Sequence, residues 1–262
     1  MSEEKRPHIV IFNPDQMRAD SLAHLGNPAS HTPNFDKMAN EDGVSFTNCF
    51  TTNPICTPSR CSFMSGWYPH VRGHRTLHHM MHENEPVLLK YLKDQGYFVW
   101  INTRNDLLPA QIENIYEKYC NIAFRPDKKM NPLPDGTKSW RGSPEGDNYY
   151  SFYQGRLDTN ENGVRYDLDS AWVEGAIDFI HNLPQDKPVC IFLPLLYPHP
   201  PYGVEEPWFS MIDRNKLPDR IPAPRNWEKK PSILKGLHEL QGLKEWSEER
   251  WSELRATYLG MV

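Results

Sequence analysis

Three short apolar runs set the fold class of this chain. Residues 8–12 (His-Ile-Val-Ile-Phe), 97–101 (Tyr-Phe-Val-Trp-Ile) and 189–193 (Val-Cys-Ile-Phe-Leu) are continuous rather than alternating, the pattern of strands buried on both faces. The last two each follow an amphipathic stretch. Val87, Leu88, Tyr91 and Leu92 mark a helix over 85–95 stopped by Gly96, and Trp172, Ala176, Ile177 and Ile180 mark another over 169–181. Helix-then-strand order makes neighbouring strands parallel, so the predicted class is α/β, a mixed but mostly parallel central sheet flanked by helices. Ligands of such sheets gather beyond the C-terminal strand ends. Asp15 follows the first run there, and His199 follows the third.

Weaker signals fill in the rest. Pro33 opens a helix carrying Phe35, Met38 and Ala39, with Gly43 as its stop, and the alternation over 44–50 predicts a short strand leading toward Cys56. Residues 125–166 are rich in Pro, Gly, Asn and Asp without period and read as a loop-rich insertion in a single domain spanning 1–262. Trp251, Leu254, Tyr258 and Leu259 give a helix over 247–262 that ends without a capping glycine or a basic last turn, so the domain is expected to be incomplete at its C-terminus.

Charge and hydropathy exclude some partners. The net charge is −5, with basic and acidic residues mixed along the chain, which is no footprint for nucleic acid. No apolar stretch approaches the roughly 20 residues that span a bilayer, and residues 1–7 are polar, so the expectation is a cytoplasmic protein without a membrane partner. The five cysteines match neither a disulfide framework nor paired zinc ligands.

One cysteine has chemical company. In Cys56-Thr57-Pro58-Ser59-Arg60, Pro58 suits the first turn of a helix and places residue 56 at its N-terminus, where unpaired N–H groups and the dipole favour an anion. Arg60, one turn on, shares that face and can bond the same anion.

These residues, with Asp15 after the first strand, Thr32-Pro33-Asn34-Phe35-Asp36 and Ser65-Gly66-Trp67-Tyr68-Pro69, resemble the sulfatase family of the alkaline-phosphatase-like superfamily. The resemblance covers roughly the first hundred residues and resumes at Pro198-His199. It implies that Cys56 is matured by a formylglycine-generating enzyme to formylglycine (3-oxoalanine), the nucleophile against a small anionic ester. It also implies a divalent cation, calcium first and magnesium or manganese next, held by Asp15, Gln16 and residue 56 as hard donors. Arg60 would steady the nucleophile and the anion, and His199 would hydrogen-bond the ester or protonate the leaving oxygen.

The chain departs from the family at Asn102-Thr103-Arg104-Asn105-Asp106, where Gly-Lys followed by a nearby His is common. Arg104 would keep the lysine's charge, and Asp106 would take the histidine's substrate-side place, facing a cationic part of the substrate or protonated. Among His70, His74, His78, His79 and His82, read as a pocket rim or surface loop, His74 is the expected substrate contact. Nothing after His199 presents the family's remaining metal ligands. The expected function is sulfate-ester hydrolysis from a partial site, with a phosphonate monoester or phosphodiester hydrolase and a non-catalytic fragment as alternatives.

Overall fold

A computed structural model describes residues 6–126, 143–146 and 148–262. In chain order these form β1 (Ile9–Asn13), α1 (Pro33–Lys37), α2 (Cys56–Ser65), α3 (Pro69–Arg72), α4 (Leu88–Asp94), β2 (Phe98–Asn102), α5 (Ile115–Tyr119) and β3 (Ile122–Phe124). They continue as β4 (Tyr153–Arg156), α6 (Leu168–His181), β5 (Val189–Pro194), β6 (Tyr202–Val204), α7 (Trp208–Met211), α8 (Ser232–Gln241) and α9 (Glu248–Met261). The chain divides into two units. The first holds the described residues of 1–16, 48–130 and 166–196, and the second those of 17–47, 131–165 and 197–262.

In the first unit, β1, β5, β2 and β3 lie in that order, every adjacent pair parallel. The all-parallel arrangement follows from the helices that precede β2 and β5 and return the chain to the same edge. Because side chains alternate along a strand, β2 and β5 feed two cores. Val99, Ile101, Cys190 and Phe192 pack with Cys61 and Met64 of α2 and Leu89 of α4, whereas Trp100, Val189, Ile191 and Leu193 pack with Trp172 and Ala176 of α6. Helix α6 starts where Asp167 accepts a hydrogen bond from the Ser170 amide at 3.0 Å.

Close packing between α6 and β3 depends on Gly175. A methyl group there would lie 2.3 Å from the ring of Phe124. Gly175→Ala is therefore expected to destabilise by about 1–3 kcal/mol despite alanine's helix propensity, because overpacking outweighs a gain of about 1 kcal/mol. A thermal melt of the variant above that of the parent would contradict this packing.

Three sequence expectations are corrected. Strand β1 is not buried on both faces: it pairs only with β5 among the described residues, and Val10 and Phe12 are 55% and 47% exposed. Residues 44–50 form no strand, and Val44, Phe46 and Phe50 are exposed. Alternation alone does not make a strand without a neighbour to complete its ladder. Helix α4 begins at Leu88 rather than 85, because Val87 is extended and the buried Glu85 side chain is turned to Arg72 and His74.

In the second unit β4 and β6 form a two-stranded parallel ladder, and Ala256 and Leu259 of α9 pack with Ala29 and Ile212. Ser247 caps α9 by accepting from the Arg250 amide at 3.2 Å. Strand β4 falls in the predicted 125–166 insertion, of which residues 127–142 and 147 lie outside the described residues. No described helix is long and apolar enough to cross a membrane.

Candidate active site

Helix α2 begins at Cys56. Ile55 is extended (φ −127°), Pro58 occupies the first turn at no cost in hydrogen bonding, and Gly66 in the left-handed region (φ 75°) ends the helix after ten residues. The first-turn amides of Cys56 and Thr57 have no acceptor within the helix, whereas Ser59 N–H already bonds Ile55 O at 2.9 Å.

Arg60 organises what surrounds that helix start. Its Nη1 donates to Asn105 O at 2.8 Å and Asp106 Oδ2 at 3.1 Å, and its Nη2 donates to Asp15 Oδ2 at 3.2 Å. The Arg60, Asp15 and Asp106 side chains are 5%, 11% and 23% exposed. One donor atom from each of Asp15, Cys56 and Asp106 lies within 4.8 Å of the others. Strand ends β1 and β2 thus deliver two carboxylates to the N-terminus of α2.

Burial first, and then the Asp106 and Asp15 carboxylates, push the Cys56 thiol above its ordinary pKa, against the opposing pull of the Thr57 amide and Arg60. A thiolate nucleophile requires the reverse surroundings. Residue 56 as cysteine is held protonated. Burial pushes Cys61 up to about 12 and Cys120 and Cys190 to about 11, as suits thiols packed in a core.

The other predicted residues are distributed unevenly. Gln16 follows Asp15 with a left-handed backbone (φ 62°), and Asp106 has one too (φ 48°). Arg104 is exposed on the loop after β2. His199 lies in the second unit, half-buried, with Nδ1 2.6 Å from Pro200 O. His74 is not a rim residue: it is 2% exposed, with Nδ1 2.8 Å from His79 O and Nε2 3.0 Å from Glu85 Oε2. Glu85, itself buried, also takes Arg72 at 3.2 Å and the His82 amide at 2.7 Å, so a ring enclosed there has no open side for a diffusing substrate.

Asn105 was the residue that sequence reasoning passed over. Besides its carbonyl's bond to Arg60, its Oδ1 accepts from the Leu107 and Leu108 amides at 3.0 and 2.8 Å, fixing the loop that presents Asp106. An Asn two and three residues ahead of those amides is the ordinary signature of such a turn.

The sulfatase family model matches residues 7–253. This chain belongs to the sulfatase family. The chain is 25% identical over 250 residues to N-acetylgalactosamine-6-sulfatase of Homo sapiens, covering 82% of this chain and 44% of the relative. It is 27% identical over 222 residues to an ulvan-active sulfatase of Formosa agariphila, covering 82% of this chain and 36% of that protein. Among solved structures, phosphonate monoester hydrolase of Agrobacterium radiobacter superposes with a TM-score of 0.66 at 24% identity, over 98% of this chain and 56% of that one. A protein solved with its substrate D-glucosamine-2-N,6-O-disulfate superposes with a TM-score of 0.57 at 16% identity, over 97% and 53% of the two chains. These likenesses show the sulfatase and alkaline-phosphatase-like fold. The chain spans less than half the length of these two curated relatives.

Proposed function

We propose that the protein containing this chain hydrolyses sulfate esters, with Cys56 matured to formylglycine by a formylglycine-generating enzyme and a divalent cation, calcium foremost, beside it. The observation that carries this reading is Cys56 at the first residue of α2 with Arg60, one turn on, clamped between Asp15 and Asp106. The donor set fits a hard cation: Asp15, the Gln16 amide oxygen and, after maturation, an oxygen at position 56. Asn13 Oδ1 and Asn102 Oδ1, at the ends of β1 and β2, are buried without a hydrogen-bond donor among the described residues. When present, the cation supplies charge against the ester oxygens and hydrated formylglycine supplies the attacking hydroxyl.

The chain's own residues do the rest. Arg60, fixed by its three hydrogen bonds, is a preorganised positive group at the nucleophile and needs no rearrangement as charge develops. The N-terminus of α2, with its first-turn amides and the helix dipole, favours an anion at residue 56. Arg104 offers a two-pronged donor to the small anionic ester. His199 hydrogen-bonds the ester or hands a proton to the leaving oxygen.

The test uses the full-length protein co-expressed with a formylglycine-generating enzyme. Mass spectrometry of the peptide containing residue 56 is expected to show the aldehyde, and an unmodified thiol would count against the mechanism. Turnover of a sulfate ester is expected to exceed that of a phosphonate monoester and a phosphodiester of the same phenol. The reverse order would replace the sulfatase reading by a phosphonate or phosphodiester one, and no turnover of any would leave a binding remnant.

A further inference from the structure

We propose that Asp106 is a ligand of the divalent cation, alongside Asp15, rather than a contact for the substrate. The proposal rests on the sulfatase reading above and adds a donor which that reading does not contain. Asp106 comes from the loop after β2 and Asp15 from the end of β1, yet one oxygen of each lies within 4.8 Å of the other and of Cys56 Sγ. Such a carboxylate faces the space where residue 56 acts.

Charge decides between the two roles. Arg60 brings one positive charge to two carboxylates, so the cluster of Arg60, Asp15 and Asp106 carries a net charge of about −1, which opposes an anionic ester. A divalent cation in contact with both carboxylates reverses that sign to about +1. Arg60 bonds only Oδ2 of each, so Oδ1 of Asp15 and of Asp106 has no bond from this guanidinium. Hard carboxylate oxygens suit calcium, which takes about 6–8 oxygen ligands, and two such donors advance a site that Asp15, Gln16 and residue 56 leave short. Asn102, fully buried four residues before Asp106, has a side-chain oxygen with no hydrogen-bond donor among the described residues.

The experiment is calorimetric titration of calcium into the full-length protein and its Asp106→Asn and Asp15→Asn variants, with circular dichroism confirming that each is folded. Both substitutions are expected to weaken calcium binding by about tenfold or more. Asp106→Asn binding calcium within about twofold of the parent, while Asp15→Asn loses it, would overturn the assignment of Asp106 and leave the cation reading intact. Unchanged affinity in both would remove the cation from this site and the proposal with it. Should Asp106→Asn not fold, Asp106→Ser serves with the same two readings, since it too removes the carboxylate.

Discussion

Cys56→Ala in the full-length protein co-expressed with the maturing enzyme is expected to reduce sulfate-ester turnover by on the order of 10⁴-fold or more, because in the proposed function residue 56 is the precursor of the nucleophile and not an aid to it. The structure makes the outcome diagnostic. Cys56 is half-buried at the start of α2 and its thiol is held protonated by burial and by the Asp106 and Asp15 carboxylates. Trimming Sγ removes little packing, so thermal stability is expected to change by less than about 1 kcal/mol. A loss of activity with the fold intact is thus separable from collapse of the domain. Cys61→Ala gives the contrast: Cys61 is 1% exposed between α2 and the sheet, so its removal costs stability through a cavity and leaves the nucleophile in place. Turnover in Cys56→Ala within tenfold of the parent would show that residue 56 is not the attacking group.

The parts of this site that could be read from the sequence are those set by local spacing. Pro58 inside a first turn fixes where α2 begins, and the interval from Cys56 to Arg60 is one turn, so their proximity needs no knowledge of the rest of the fold. The apolar runs likewise give the strands, and the helices before β2 and β5 give their parallel order. Long-range pairing is not written in periodicity. Arg60 meets Asp106 across 46 residues of sequence, and only the β2 loop geometry, with Asn105 pinning Leu107 and Leu108, turns that carboxylate toward α2. The expectation of His74 as a substrate contact fails for the same reason, a long-range contact that the sequence does not show. Nothing local to the histidine cluster tells that Glu85, eleven residues on, is buried against His74. Strand β1 reads as fully apolar because the run records composition, whereas the exposure of Val10 and Phe12 depends on which neighbours complete the sheet.

Arg60→Met should produce the largest loss of stability of any substitution at this site. Arginine and methionine fill similar space, so the change isolates the charge. The variant leaves Asp15 and Asp106, 11% and 23% exposed, with no cation between them and the Asn105 carbonyl without its donor. Removing one partner of a buried ion pair costs about 3–5 kcal/mol, and the partial exposure of Asp106 places the expectation near the lower end, about 3 kcal/mol. The pair's own attraction is a smaller quantity than this cost. If uncompensated carboxylates are the cause, withdrawing one of them must return part of the loss. Arg60→Met with Asp106→Asn is therefore expected to be more stable than Arg60→Met alone, although Asp106→Asn by itself destabilises. Denaturant unfolding of the four proteins in chelator measures this coupling directly. Additive effects of the two substitutions would mean that Arg60 stabilises α2 through packing alone, and the clamp between the two strand ends would lose its physical basis.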